Sequence, residues 1–519
     1  MILPDRQRAV QLVGPDQLVL NPDKPVPRPG PHQILAKVEV TGLCFSDLKL
    51  LKQFSAHPRK SDVVTTLQPE TLREIPSYVP NEAPTVPGHE TVVRIVAVGD
   101  QVRTVKPGDR RLVQTDYRWL RTAESCAAFG YNFEGALQEY VLMDERVITS
   151  PEGESMLLPA SEHLSASAIA LVEPWACVED SYVVRERQGR KPGGRSATID
   201  SARTTRVDVE SYEDGSLDDV VFLGANADLL EALFPKIAKN GLLNIVQRGE
   251  TFGRPVVTPV GRIHYGGVRI IGTRGANPEE GYAAIPATAE IRPGDRILIV
   301  GAGGPMGTMH VIRNICQGVP GITVVGTDMS DERLTQLRAL AAPLAAERGV
   351  GFEARHAKND PPDGPFDYIA LMAPVPALVA QAVDQAARRA IINIFAGIPA
   401  SVSHPINLDR YVEQQAYFIG TSGSTLEDMR IVLKKVTDGS LDTNLSVAAV
   451  SGLEGAIDGI RAVEKQSIAG KIIVYPSCRG LPLTPLSELH RRFPDVAAHL
   501  RDGAWTREAE AALLAHFQG

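Results

Sequence analysis

Ile297-Leu-Ile-Val-Gly-Ala-Gly-Gly-Pro-Met-Gly307 is the stretch that decides how this chain folds. Four apolar residues form a short buried strand, glycines at 301, 303, 304 and 307 form a tight turn, and a helical pattern follows. A strand running through glycines into a helix lets backbone N–H groups and the helix N-terminus approach a pyrophosphate. The next strand, Ile322-Thr-Val-Val-Gly-Thr327, ends at Asp328, 21 residues after Gly307. A carboxylate there accepts hydrogen bonds from a ribose diol and repels a 2′-phosphate, which favours NAD over NADP. The candidate cofactor-binding residues are therefore Gly301, Gly303, Gly304, Pro305, Met306, Gly307 and Asp328, with Arg333 just beyond. A glycine cluster alone is equally a structural turn. The order strand, glycines, helix, strand and acidic residue is what points to a dinucleotide, although the spelling departs from GxGxxG by one extra residue.

Outward from this stretch, two segments repeat one another. Asp219-Val-Val-Phe-Leu223 leads through a helical run to a strand ending near Gly249, then to Ile271-Gly-Thr-Arg-Gly275. Asp367-Tyr-Ile-Ala-Leu371 leads in the same way to Gly397, then to Ile419-Gly-Thr-Ser-Gly423. Asp219 and Asp367, Gly249 and Gly397, and Gly272 and Gly420 are each 148 residues apart, a constant offset that predicts a duplication. Upstream, Lys191-Pro-Gly-Gly-Arg195 resembles Arg292-Pro-Gly-Asp-Arg296 at an offset of only 101, so the first copy is about 47 residues shorter. It lacks the segment after Arg296 that holds the nucleotide chemistry, and no glycine occurs between Arg195 and Gly215. The first copy is predicted not to bind a dinucleotide by this mechanism and reads as a structural or lid-like half-domain.

At 519 residues the chain exceeds the length at which single cores stop growing, so two or three domains are expected. A net charge of −8 speaks against a nucleic-acid partner, because phosphate recognition shows itself as a basic face. A small-molecule substrate fits better. Cys44, Cys126, Cys177, Cys316 and Cys478 are scattered, odd in number and without a CxxC pair, so no disulfide framework is expected. The N-terminus has early charges and no apolar signal core, and no run of about 18 apolar residues occurs. The reading is a cytoplasmic protein with no membrane partner.

The first 150 residues read as mostly β, with β-rich runs at 33–43, 90–100 and 136–143. Residues 53–86, with Pro58, Pro69, Pro76, Pro80 and Pro84, form a long excursion that could cover a site. Gly42-Leu-Cys44-Phe-Ser46-Asp47 follows a strand, Pro87-Gly88-His89-Glu90 opens another, and Leu171-Val-Glu173-Pro174-Trp175 closes an apolar, helical-looking run. Singly each is bland, since a lone Cys is usually a buried hydrophobe and a lone His a hydrogen-bonded core residue. Together with Lys106-Pro-Gly-Asp-Arg110, Gly135-Ala-Leu-Gln-Glu-Tyr-Val141 and the glycine turn, they resemble the medium-chain dehydrogenase/reductase superfamily, the zinc alcohol and polyol dehydrogenases. The resemblance covers roughly residues 1–184 and 285–476 and is greatest to the sorbitol, threonine and sugar-phosphate dehydrogenase branch.

The resemblance implies an α/β fold. A GroES-like β-rich catalytic domain at 1–184 is completed by 421–476, and a Rossmann doubly wound parallel-sheet domain at 290–420 binds NAD. A truncated Rossmann-like half-domain is inserted at 189–289, and a C-terminal helical extension occupies 477–519. It further implies one catalytic zinc on Cys44 and His89, with Glu90 and Glu173 completing the shell directly or through water. Ser46 would relay the alcohol proton and Asp47 would orient the histidine. Such a set leaves room for a substrate oxygen, and zinc lowers the pKa of a bound alcohol so that a hydride can pass to the nicotinamide. Only Cys126 lies where many relatives carry a four-cysteine lobe, so no structural zinc is expected. The implied function is reversible oxidation of a secondary alcohol (a polyol, sugar or sugar phosphate) in a homo-oligomer, dimer or tetramer. Two rivals are a zinc-free quinone-reductase-like enzyme, against which the Cys/His-Glu/Glu set argues, and a catalytically silent NAD-binding sensor or scaffold.

Other candidates read as structural. Cys177 belongs to an apolar helical run, and His57-Pro-Arg-Lys60 reads as a solvated loop in preference to a phosphate-attracting cluster. Lys471 is either an electrostatic support for the metal shell or an ordinary strand-edge lysine. The tail 477–519 reads as two short amphipathic helices packed on the surface or at a subunit contact.

Overall fold

The computed structural model describes residues 3–62, 66–421 and 423–518, so residues 63–65 of the excursion and Ser422 of the second repeat lie outside the described residues. The chain divides into two compact units, Met1–Ala176 with Thr425–Gly519, and Cys177–Ser424. Among the described residues no helix is long and apolar enough to cross a membrane.

The first unit is built on strand Gln33–Leu43, almost wholly buried because it has neighbours on both edges. It pairs antiparallel with Glu90–Val98, with Tyr140–Asp144 and, at its C-terminal end, with Lys471–Val474. In that sheet Val447–Ser451 lies beyond Lys471–Val474 and Thr484–Pro485 beyond it, so the last part of the chain completes what the first part begins. Helix Leu453–Lys465 lays Leu453, Ala456 and Ile460 against Leu43, Leu51 and Ile472 in one core. Each large aliphatic side chain buried there contributes about 1.5–3 kcal/mol. The tail is stitched into this unit and does not lie on its surface. Trp505 is fully buried with Nε1 donating to Tyr475 Oη at 3.1 Å, and the Glu510 carboxylate accepts the amides of Ala166 and Ser167. A buried tryptophan and a carboxylate on free helix-start amides outweigh the amphipathic pattern that suggested surface packing.

The second unit contains the duplication. Its strands are β1 (Ser196–Asp200), β2 (Leu217–Leu223), β3 (Ile237–Val246), β4 (Val256–Thr258) and β5 (Arg269–Thr273) in the first copy. The second copy has β6 (Arg296–Val300), β7 (Thr323–Asp328), β8 (Gly351–His356), β9 (Phe366–Leu371), β10 (Ala386–Ile394), β11 (His404–Ile406) and β12 (Tyr417–Ile419). The first copy's parallel sheet runs β1-β2-β3-β5 and the second's β8-β7-β6-β9-β10-β12. The shared order is β6-β9-β10-β12 for β1-β2-β3-β5. The first copy is a half-domain that lacks β7, β8 and the helices Pro305–Cys316 and Asp331–Arg348. Where β6 enters the glycine turn, β1 ends at Asp200 and turns through Ser201-Ala202-Arg203 toward a Thr205-capped helix, Arg206–Glu210. The strands carry Val, Ile and Leu runs, as sheets covered on both faces require. One apolar core takes in residues of both copies, among them Val220, Phe222 and Leu243 of the first and Leu298, Ile369 and Ile392 of the second.

Candidate metal centre and nucleotide loop

Strand Gln33–Leu43 delivers Cys44 to the N-cap of helix Phe45–Gln53. Asp47, in the first turn, does two things with one carboxylate. Oδ2 accepts from Cys44 N at 3.0 Å, and Oδ1 lies 3.1 Å from His89 Nδ1. The same side chain thus caps the helix and fixes the imidazole. Burial alone would raise the Asp47 carboxyl, but the charge and hydrogen bond of His89 outweigh it and hold its pKa below the ordinary value. The converse holds for His89, where burial opposes protonation and Asp47 overrides it. On the other side of the ring, His89 Nε2 is 3.2 Å from Ser46 Oγ, which is 3.0 Å from Cys44 Sγ.

Glu90 stands in register with Gly42 across the sheet. A Cβ at position 42 would come within 2.1 Å of Glu90 Oε2, so only glycine leaves room for that carboxylate. From the strand beyond, Lys471 Nζ donates to Leu43 O at 2.8 Å and to Glu90 Oε1 at 2.5 Å. Burial pulls the lysine's pKa down, and Glu90 overrides it to raise it. Lys471 is therefore no ordinary strand-edge lysine, since it is the buried counter-charge of a buried carboxylate. Glu90 Oε2 is also buried and has no hydrogen-bond partner among the described residues.

One donor atom each from Cys44, His89 and Glu90 lies within 4.8 Å of the others. A sulfur, an imidazole nitrogen and a carboxylate oxygen are the donors that a zinc ion takes, and an orphaned buried acceptor among them is what such an ion would satisfy. The residues fit the metal. Glu173, near the start of helix Val172–Val183, is buried but outside this group, so three of the four expected ligands are brought together. Burial, reinforced by Glu90 and Asp116, raises its pKa to about 7 against the pull of His89 and Lys471. Cys177 is half-buried and also outside the group.

Sequence reasoning missed the wall beside the ligands. The Tyr131 ring lies 5.9 Å from the His89 ring and 5.1 Å from the His57 ring, with the Arg59 guanidinium 5.4 Å over it. Arg59 pairs with Asp116 at 2.5 Å. Burial pushes the His57 pKa down to about 4, helped by Arg59, so this ring is neutral at ordinary pH. Gly130-Tyr131-Asn132 carries no motif that could have signalled this. The segment His57–Lys60 is not the solvated loop expected of it. His57 and Lys60 are buried, and Lys60 Nζ donates to the carbonyls of Val79, Asn81 and Ala83, bracing the excursion. Burial lowers the lysine's pKa to about 8, and the three carbonyls it meets offset only part of what the charge loses on leaving water.

In the second unit β6 runs into the expected turn. Gly303 N donates to Asp328 Oδ2 at 3.1 Å, and Asp328 Oδ1 accepts from Ser330 N, so the carboxylate at the end of β7 is tied to the loop. Gly304 is the N-cap of helix Pro305–Cys316 and gives it no side-chain cap, leaving its first amides open to an anion, with Pro305 and Met306 in the first turn. At Gly307 a Cβ would sit 2.1 Å from Gly301 O, so the helix can approach the turn only with glycine there. Arg333 packs its Cβ where a side chain at Gly303 would be, 2.6 Å away. All eight expected cofactor residues therefore lie on this loop or beside it. On the helix's own buried face, Arg313 is paired with Glu179 at 2.9 Å and Glu290 at 2.5 Å and stands 4.0 Å from the centre of the Tyr182 ring.

Residues 30–152 match the alcohol dehydrogenase GroES-like domain family. L-sorbose 1-phosphate reductase of Klebsiella pneumoniae is 28% identical over 257 residues, covering 48% of this chain and 61% of that protein. Mannitol-1-phosphate 5-dehydrogenase of Aliivibrio fischeri is 27% identical over 246 residues, 43% of this chain and 57% of that protein. The chain thus spans about six-tenths of the length of these curated relatives. The crystal structure of 2R,3R-butanediol dehydrogenase from Bacillus subtilis superposes with a TM-score of 0.55 at 17% identity, covering 91% of this chain and 99% of that one. At that identity the likeness establishes the fold.

Proposed function

The chain belongs to the medium-chain dehydrogenase/reductase superfamily, and from that premise we propose that it transfers a hydride between a secondary alcohol and NAD at a zinc ion held by Cys44, His89 and Glu90. Glu173 would complete the shell through water. The observation that carries the reading is the buried, unpartnered Oε2 of Glu90 beside a thiol and an imidazole. When bound, zinc supplies Lewis acidity toward the alcohol oxygen and the nicotinamide accepts the hydride.

The chain's own residues do the rest. Asp47 accepts from the proton-bearing Nδ1 of His89 and leaves the lone pair of Nε2 to face the metal. Ser46 Oγ, beside Cys44 Sγ and His89 Nε2 and itself partly exposed, is placed to accept the alcohol proton as it releases its own to solvent. The Tyr131 ring keeps water from one side of the histidine. In the other unit, the amides that open helix Pro305–Cys316 bind the pyrophosphate and Asp328 accepts the ribose hydroxyls. The names of the relatives, a sorbose phosphate reductase and a mannitol phosphate dehydrogenase, support a polyol or sugar phosphate as substrate.

Elemental analysis of chelator-washed protein tests the metal, with about one zinc per chain expected. NAD reduction is then followed with polyols and sugar phosphates. A Cys44→Ala variant that kept full zinc content and full activity would overturn the assignment.

A further inference from the structure

We infer that the truncated copy is a built-in partner, which covers by an internal two-fold the sheet edge that the nucleotide-binding copy would otherwise offer to a second chain. The two sheets end on equivalent strands, β5 and β12, at the offset of 148. These edges pack on each other, and Arg269 of β5 donates to Gly420 O just past β12 at 3.3 Å. An unpaired strand edge is a template for another chain, and here the neighbour is the copy's own relative.

Three contacts show that the relation is a two-fold. A two-fold contact is reciprocal, so that if i meets the counterpart of j, then j meets the counterpart of i; copies stacked by translation lack this property. First, β4 pairs antiparallel with β11 as Val256 with Ile406, Val257 with Pro405 and Thr258 with His404. At the 148 offset Val257 and Pro405 are counterparts, and the outer pairs exchange partners around them, so the axis passes between those two residues. Second, the space a Cβ would take at Gly272 is closed by Val412, 2.7 Å away, and that at its counterpart Gly420 by His264, 2.8 Å away. His264 and Val412 are themselves counterparts. Third, Asp409 accepts the amides of Phe252 and Gly253, while at its counterpart Gly261 a Cβ would stand 3.1 Å from Ala400, the counterpart of Phe252.

The first copy keeps β4 and β5, which make this contact, with β1, β2 and β3 in the sheet behind β5, and has lost β7, β8 and the glycine turn, which take no part in it. Retention follows the contact and loss follows the nucleotide chemistry. The partner this face fits is therefore already present in the chain, and a second molecule does not pair there. This inference does not rest on the proposed reaction.

Val257 is 43% exposed and Pro405 is also exposed, so both tolerate substitution and reach an oxidant. In the Val257→Cys/Pro405→Cys double variant of the full chain, mild oxidation is expected to give a disulfide within one chain, with monomer mobility on non-reducing gels. Each single variant is expected to cross-link no more than the unsubstituted chain. If two molecules met at this edge, Pro405 would face Pro405 across the axis, and Pro405→Cys alone would form a covalent dimer, which overturns the proposal. Amide exchange on the unsubstituted chain is a second check. Protection of β5 and β12 is expected to be the same across a hundredfold range of protein concentration, and protection that rises with concentration overturns the proposal.

Discussion

Lys471 and Glu90 are a buried ion pair in which the lysine meets one carboxylate oxygen and leaves the other free. Removing the lysine strands a buried negative charge, which costs about 3–5 kcal/mol. Lys471→Met is therefore expected to lower the unfolding free energy of metal-free protein by that amount in urea titrations, while Glu90→Gln/Lys471→Met loses less than the two single losses combined. Additive losses would mean that the two side chains are not coupled. His310 gives a pH dependence. Burial, reinforced by Arg313, lowers its pKa to about 3, with the Tyr182 hydroxyl 2.8 Å from Nδ1. The folded chain keeps this ring neutral while the unfolded chain takes up a proton below its ordinary pKa of 6.5, so stability falls as pH drops from 6.5 toward 3. The slope is up to about 1.4 kcal/mol per pH unit. His310→Gln is expected to flatten that part of the acid limb, and an unchanged slope would count against a neutral buried ring. At this scale the sequence was only partly legible. Cys44, His89 and Glu90 were readable because short motifs bracket them, and Gly42 was inside one of those motifs without its purpose being visible. Tyr131, Asp116 and the fate of Lys60 were not, because each is placed by contacts with residues far along the chain, which no local pattern encodes.

Among elements, the strand–turn–helix unit at 296–316 was the most legible, since its glycines, proline and spacing each state a local backbone requirement. Gly307→Ala puts a methyl against Gly301 O, and it is expected to weaken NADH binding at least about tenfold, or ~1.4 kcal/mol, in fluorescence titration. Unchanged affinity would mean that the turn is not where the pyrophosphate binds. Asp328→Asn removes the charge that disfavours a 2′-phosphate and is expected to shift the ratio of kcat/KM for NAD over NADP toward NADP by about tenfold. Helix Asp331–Arg348 shows why boundaries are harder, because its periodicity is weak and its ends are set by Ser330 accepting from Arg333 N and by Gly349 in the left-handed region. The tail was misread for the opposite reason. Its amphipathic pattern is real, but burial of Trp505 and the Glu510 contacts decide where it goes.

At the scale of the whole molecule, the duplication could be read from a constant spacing, but a spacing says nothing about how two copies meet. Their shared core has a consequence for unfolding. Phe222, fully buried in the first copy, belongs to the same apolar cluster as Ile369 and Ile392 of the second. Phe222→Ala is expected to cost about 3–5 kcal/mol and to speed amide exchange in β9 and β10 as much as in β2 and β3. Faster exchange in the first copy alone would show two separate folding units. The internal axis also changes how the contact can be inherited. Where two identical chains meet, any substitution arrives on both sides at once, so a change that suits one side is accepted only if its rotated copy also fits. Two halves written in one gene escape that rule. Asp409 has glycine, Gly261, as its counterpart, and Arg269 has Tyr417, so each flank of the contact has drifted separately and a mutation here is tried once per molecule.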